Sequence, residues 1–406
     1  MTTQVTICGG GNAAHTLAGL LGSKKELSVK IYAPHKSEAQ LWQDGIQQNN
    51  GITVNTPSGV IQGHPAGIYS DPILAVSESE LVILALPAFA HEPIINQIAE
   101  HISLGTWVGA IPARGGFDLC VKDVFKDHLN EISIFGFQTL PWACRIQEYG
   151  KKAIILGAKE QVDLTALPTE MAPIISTKLQ DLLGLKINPT PNFLSLALAD
   201  TGQIIHPGIM YGLFKNWDGQ PFASPPLFYQ AVNDEIASIL HQMSDEIQGL
   251  CNSLEKQYPS LDLSDVRPIG EWLKRSYKAN ISDVSSLQSC FSTNSSYTGL
   301  LAPVQKINNG FIPDFQARYL SEDVPYNLLV TRGIAELAGF KTPVIDKVLV
   351  WAQNKLSKDY LVSGMLQGVD LQNSRTPQRF GFTSLEQFIQ KMQYLPLTQS
   401  NHHVFS

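Results

Sequence analysis

Four places in the 406-residue chain carry residue types that could do chemistry. The first is Gly9-Gly10-Gly11-Asn12-Ala13-Ala14, entered from the apolar run of Val5, Ile7 and Cys8 and left through a helical run with Leu17, Leu20 and Leu21. Strand, glycine-rich turn and helix in that order suit a dinucleotide. Gly9 makes the tight turn, Gly11 lets the backbone approach a pyrophosphate, and Ala14 lets the helix pack closely on the strand. The helix N-terminus adds unpaired N–H groups and a partial positive charge. The ligand class this implies is a nicotinamide or flavin nucleotide. Glycine also serves any strained bend, so the place of the turn between strand and helix carries the reading.

The second place is His206, in Gln203-Ile-Ile-His-Pro-Gly-Ile-Met-Tyr211. An imidazole exchanges a proton near neutrality; among apolar neighbours it can equally be a satisfied core residue. Pro207 favours an extended or helix-starting geometry at His206. The third is Arg318-Tyr-Leu-Ser-Glu-Asp323-Val-Pro325. With Pro325 as a first helical position, Asp323 could simply stabilise the helix end, and Arg318 could be a surface partner. The fourth is Arg114, in Ile111-Pro-Ala-Arg-Gly-Gly-Phe117, directly after a buried strand. Arg in such a loop is a natural bidentate clamp for a carboxylate, or else an exposed loop cation.

These residues need a scaffold, and composition says what kind. Hydrophobic residues make up 44% and charged residues 16% of the chain, which implies a large core rather than disorder. The length suits two domains. The apolar run at 81–90 is broken by Pro87 and too short to span a bilayer. The start, Met1-Thr-Thr-Gln, leads into the first strand without room for a signal peptide. Cys8, Cys120, Cys144, Cys251 and Cys290 are scattered without metal-type pair spacing, so no metal is expected. These features point to a soluble protein of a reducing compartment, the cytosol, with no membrane partner. A net charge of −7 without a basic patch argues against nucleic acid.

The first half alternates strand-like and helix-like segments, the pattern of a parallel sheet covered by helices. Residues 29–32, 80–86, 106–111, 132–137 and 153–156 read as its strands. Residues 52–55 and 60–62 flank a turn and read as a hairpin insertion, 91–101 reads as a helix, and 179–185 as the last helix of this half. After Asn188-Pro-Thr-Pro-Asn192 the pattern changes to helical periods of three and four, over 229–258, 328–339 and 344–356. The expected fold class is α/β: an N-terminal Rossmann-like doubly wound sheet, residues 1–194, and an α-helical C-terminal domain, residues 195–406, packed over the sheet's ligand edge. Ligands of open sheets sit beyond the carboxyl ends of the strands. Pro87 and Ala88 fall in such a loop, as do Arg114 and Thr139. The end of the second strand, where Asp or Glu holds the ribose 2′-hydroxyl of NAD, reads Tyr32-Ala-Pro-His35-Lys36. Either His35 and Lys36 take a 2′-phosphate, giving NADP, or both are solvated and a backbone or water contact serves the ribose.

Several blocks in order resemble the opine dehydrogenase family, of the octopine and tauropine type, over nearly the whole chain. They are Cys8-Gly-Gly-Gly-Asn-Ala-Ala-His15, Pro87-Ala-Phe-Ala-His-Glu92, Thr139-Leu-Pro-Trp-Ala-Cys-Arg145, His206-Pro207, Trp217-Asp-Gly219, Thr293-Asn-Ser-Ser-Tyr-Thr-Gly-Leu300, Asp314 to Asp323, and Pro377-Gln-Arg-Phe-Gly-Phe382. The resemblance implies an NADH-dependent enzyme that condenses a 2-keto acid, pyruvate, with an amino acid or taurine and reduces the imine. It implies His206 and Asp323 as a catalytic pair that meets across the interdomain cleft, Arg318, Thr139 and Cys144 as substrate-binding, and a monomer, with a dimer possible. Octopine-type members carry a neutral amide where this chain has Arg114, which would repel a cationic arginine side chain and attract an anionic end. The expected amine is therefore taurine or a small neutral amino acid. Two rivals stand beside this reading. One is a 3-hydroxyacid or glycerol-3-phosphate type dehydrogenase, which usually places a Lys near the second domain's first helix. The other is a non-catalytic NAD(H)-binding redox sensor, in which His206, Arg318 and Asp323 have no role.

Overall fold

In the computed structural model, residues 2–394 are described, apart from the side chain of Asp127. They divide into two units, Met1–Leu196 and Ala197–Ser406, against the boundary at 194 expected from sequence.

The first unit is built on twelve strands: β1 (Thr3–Cys8), β2 (Leu27–Tyr32), β3 (Ile52–Thr56), β4 (Gly59–Gly63), β5 (Gly67–Tyr69), β6 (Leu81–Leu84), β7 (Trp107–Ala110), β8 (Ser133–Phe137), β9 (Trp142–Glu148), β10 (Lys152–Ala158), β11 (Gln161–Leu167) and β12 (Lys186–Pro189). Its helices are α1 (Asn12–Gly22), α2 (Lys36–Asn49), α3 (Pro72–Val76), α4 (Ala88–Ile98), α5 (Phe117–Phe125) and α6 (Met171–Leu183). The main sheet has the order β12-β11-β8-β7-β6-β1-β2-β5. The six strands from β8 to β5 are all parallel. The central strands run apolar because helices cover both faces: every residue of β6 is buried, as are the last four of β1. After β5 the chain returns to the other side of β1 as β6, so the order reverses there. Four loops share the carboxyl edge beside this switch point: 9–11 after β1, 85–87 after β6, 111–116 after β7 and 138–141 after β8. That edge is where open sheets of this kind hold their ligands.

Several sequence expectations are corrected. Residues 153–156 do not continue the main sheet. They lie in β10 of a separate four-stranded sheet, β4-β3-β10-β9, whose apolar residues cover the back of α1. The reason is visible in α1, which is buried at seven of eleven positions and needs cover on two sides. Gly19 permits the approach, since a Cβ there would lie 2.2 Å from Val54 Cγ2. The helix expected at 91–101 begins at Ala88 and ends in a 3₁₀ turn, Ala99–His101. The segment 179–185 is the end of the longer α6, and the turn-rich stretch beyond it contributes the edge strand β12.

Helix α7 (Phe193–Ala199) spans the division between the units, and the second unit is mostly helical. It holds α8 (Gly202–Phe214), α9 (Asp234–Gln257), α10 (Ile269–Ser276), α11 (Leu287–Ser292), α12 (Arg318–Ser321), α13 (Leu329–Leu337) and α14 (Pro343–Leu356). The expected long helix starts at Asp234 rather than 229, because the side chain of Asn233 accepts from Ile236 N–H at 2.9 Å and caps it. Its apolar stripe, Ile236, Leu240, Met243, Ile247, Leu250 and Leu254, is buried. Pro207 lies inside α8 rather than starting it, so His206 is helical. Proline there removes the bond that its N–H would have made to the Gln203 carbonyl and crowds that carbonyl with its ring. Among the described residues, no helix is long and apolar enough to cross a membrane.

Candidate active site

The glycine turn is made by backbone. Gly9 has φ +132°, and a Cβ there would lie 2.7 Å from the carbonyl oxygen of Ala85, so only glycine fits. A Cβ on Gly10 would lie 1.9 Å from Glu38 Oε1. Gly11 is different: nothing lies within 4 Å of where its Cβ would be, and it is exposed. It is the N-cap of α1, and no side chain caps that helix. The N–H groups of the first turn, from Asn12 and Ala13 onward, therefore lack a side-chain acceptor. Open space and free donors at one helix N-terminus fit the pyrophosphate of a dinucleotide. Ala14 is fully buried against the sheet.

Two side chains brace this turn. Asn12 Oδ1 accepts from Ile146 N–H at 2.8 Å. His15 is buried and stacked on Trp42 at 3.8 Å. Its Nε2 accepts from Gly150 N–H at 2.8 Å, so Nδ1 carries the hydrogen and donates to Gly11 O at 3.0 Å. Burial holds the imidazole neutral, lowering its pKa from 6.5 to about 4. At the end of β2, His35 and Lys36 are both exposed, and His35 is the N-cap of α2 without a side-chain cap bond. The acid that does reach the turn is Glu38, in the first turn of α2, whose Oε1 accepts from Tyr149 O–H at 3.0 Å.

Along the same sheet edge, Pro87 caps α4, and Ala88 is buried as its first residue. Arg114 follows β7 in a left-handed conformation, φ +64°, rare for a residue with a Cβ. Thr139 follows β8 and is half-buried. Cys144 departs from expectation. On β9 its side chain turns inward, 1% exposed, in hydrogen-bond contact with Thr16 of α1, and burial raises its thiol pKa. It is a core residue, because strand alternation points Ala143 and Arg145 outward instead.

The third constellation lies wholly in the helical unit. His206 and Asp323, expected to meet across the junction of the two halves, both belong to the second unit. His206 Nδ1 lies 2.8 Å from Asp323 Oδ2. A carboxylate only accepts, so the hydrogen sits on Nδ1 and Nε2 keeps its lone pair. Asp323 is 2% exposed and does not cap the helix end, which removes the plain reading of that acid. It is followed by a single π turn, Val324–Leu328, a feature frequent at functional sites. That turn brings Asn327 Nδ2 to Asp323 Oδ1 at 3.1 Å, so both carboxylate oxygens are held. Tyr229 O–H reaches His206 Nε2 at 3.1 Å, and the ring of Tyr319 stacks on the imidazole at 4.1 Å and 8°. Arg318, the residue before Tyr319, donates from Nε to the carboxylate of buried Glu322, while its side chain remains 59% exposed. One edge of its fork is anchored and the rest faces outward.

Thus the structure brings His206, Asp323 and Arg318 together in one unit. It sets the glycine turn, Pro87, Ala88, Arg114 and Thr139 along one sheet edge in the other. Sequence reasoning missed Asn327, Glu322, Tyr229, Tyr319, His15 and Glu38. The first two were legible in principle, at i+4 from Asp323 and Arg318 respectively. Tyr229 and Tyr319 carry no local signal, since their contacts depend on tertiary packing.

Residues 189–356 match the family described as NAD/NADP octopine/nopaline dehydrogenase, alpha-helical domain. The chain is 36% identical over 394 residues to octopine dehydrogenase of Pecten maximus, covering 95% of this chain and 98% of that protein. It is 34% identical over 394 residues to tauropine dehydrogenase of Arabella iricolor, covering 95% and 99%. A solved structure of octopine dehydrogenase with NADH and L-arginine superposes with a TM-score of 0.90 at 34% identity, over 99% of this chain and all of that one.

Proposed function

The chain belongs to the opine dehydrogenase family, and from that premise we propose which of its residues carry the reaction and which amine it selects. It is an NAD(P)H-dependent oxidoreductase acting on CH–NH groups: a 2-keto acid and an amino group condense with loss of water, and the imine is reduced to a secondary amine. NADH, when bound, supplies the hydride. Gly9, Gly10, Gly11, Asn12, Ala13 and Ala14 form the turn that holds its pyrophosphate. Glu38 over Gly10 adds negative charge where a 2′-phosphate would add more, which favours NAD over NADP.

The observation that carries the assignment is the imidazole of His206 held by Asp323. In condensation, His206 Nε2 takes the protons that the attacking ammonium sheds and delivers them to the carbonyl oxygen of the keto acid, which leaves as water; in the reverse direction it takes the proton of the opine's secondary amine. Asp323 fixes the tautomer and stabilises the charged imidazole, and Asn327 holds Asp323. The exposed edge of Arg318 holds the carboxylate of the keto acid, which we assign as pyruvate, so that its carbonyl carbon is presented in one orientation. Arg114 and Thr139 are the substrate-side residues of the first unit, and the guanidinium of Arg114 selects against a cationic side chain. The five cysteines are buried and none is joined in a disulfide, which supports a reducing, cytosolic setting. We take the enzyme to act as a monomer.

The test is NADH oxidation with pyruvate alone and with pyruvate plus an amine panel. Taurine or a small neutral amino acid accelerates oxidation, arginine does so poorly, and R114Q narrows that gap. An enzyme that no amine accelerates overturns the opine assignment; preference for arginine, or equal turnover of arginine and taurine, overturns the role of Arg114.

A further inference from the structure

The nitrogen of His206 that must handle the reaction's proton already has a partner. With Nδ1 committed to Asp323, Nε2 can only accept, and the hydroxyl 3.1 Å away is that of Tyr229. Tyr229 is placed with little freedom. It is the first residue of a 3₁₀ turn, Tyr229–Ala231, and is 9% exposed. Its ring is sandwiched in an aromatic stack, 4.1 Å from Tyr297 at 15°, with Phe228 edge-on at 4.9 Å. Its hydroxyl is also hydrogen-bonded to Tyr319, whose own ring lies flat on the imidazole. Burial keeps the Tyr229 phenol protonated, well above its ordinary titration range.

We propose that Tyr229 is a positioning residue for the reaction: its hydroxyl donates to Nε2, and with Tyr319 stacked on the ring it holds His206 as the Nδ1–H tautomer with a lone pair aimed for proton transfer. The two bonds at opposite ends of the imidazole act together. The acceptor at Nδ1 and the donor at Nε2 agree on one tautomer, and the stacked phenol removes ring rotation as an alternative. Asp323 alone leaves the ring free to tilt about its single hydrogen bond. A donor at Nε2 also marks the direction along which a substrate amine or leaving oxygen must approach, so Tyr229 yields that position to substrate rather than touching the reacting carbon.

This inference rests on His206 being the acid–base residue, and the experiment separates the two. The Y229F variant keeps the ring stack and loses only the hydroxyl at the imidazole; Y297F likewise keeps the stack and removes a buried hydroxyl that bonds Tyr277 instead of the imidazole. In the whole enzyme, with pyruvate, amine and NADH, Y229F lowers kcat about tenfold while the KM values for NADH and pyruvate stay within twofold, and Y297F leaves both near wild type. In histidine labelled with ¹⁵N, the Nε2 resonance of His206, assigned by its loss in H206A, moves in Y229F toward the shift of an unbonded ring nitrogen. Unchanged kcat in Y229F, equal losses in Y229F and Y297F, or an unmoved Nε2 resonance overturns the proposal for Tyr229. Wild-type turnover by H206A overturns the underlying assignment instead, whatever the spectrum of Y229F shows.

Discussion

The turn at residues 9–14 and the pair His206–Asp323 answer the same need, a charge held at a fixed place, by opposite means. The turn uses backbone. Its specificity lies in atoms that are missing, the Cβ positions of Gly9, Gly10 and Gly11, and in N–H groups that a helix leaves unpaired. The pair uses side chains 117 residues apart, each with its own supports: Asn327 behind the carboxylate, Tyr229 and Tyr319 around the imidazole. A backbone site is robust to neighbours but intolerant of any added carbon. A side-chain site tolerates changes in shape but fails when one polar partner goes. On the proposed roles the turn serves binding and the pair serves chemistry, so substitutions should break one without the other.

The largest effect is expected at His206. H206A should lower kcat about 10³-fold, the range of a general acid–base group, while the Kd for NADH from fluorescence titration stays unchanged. A parallel loss of NADH binding would merge the two regions and contradict the contrast.

Next comes acid stability, which belongs to the turn. Folded His15 stays neutral down to about pH 4, whereas in the unfolded chain it takes a proton near 6.5. The folded pKa of this base is depressed, so stability present above 6.5 is lost as pH falls toward 4, by about 3 kcal/mol in all. Urea unfolding at pH 7 and pH 5, followed by probes in the first unit, should show this loss. H15Q should flatten it; an equal slope in H15Q would remove His15 as its source.

The smallest pair of effects lies within the turn itself. G9A, strained by its φ and by Ala85, should destabilise folding by about 1–3 kcal/mol. G11A meets no protein atom, so its melting temperature should match wild type while NADH binding weakens about tenfold. If both variants lower the melting temperature alike, the open space at Gly11 is structural rather than a ligand's.

The same contrast explains what could be read from sequence. The turn was legible because its parts are adjacent: strand, glycines and helix within twenty residues. The parallel sheet was legible for the same reason, through local alternation of elements. The second small sheet was not, because residues 153–156 look like any buried strand, and only α1's need for cover on its second side assigns them to β3. Cys144 misled because a motif block says nothing of which face of a strand a side chain takes. His206 and Asp323 were individually ambiguous, an imidazole among apolar residues and an acid before a proline. Only tertiary structure shows that the acid ignores its helix end and turns to the imidazole. Asn327 was within reach at i+4, whereas Tyr229 and Tyr319 depend on aromatic packing that no local pattern encodes.

The most direct test of the central claim is a double-mutant cycle on kcat with H206A, D323N and the combined variant, using pyruvate, the preferred amine and NADH. If the two residues form one proton-handling unit, each single change is severe and the combined variant is no slower, within a few-fold, than H206A alone. Losses that multiply in the combined variant, or a D323N enzyme that turns over at the wild-type rate, would show that the carboxylate does not act through the imidazole.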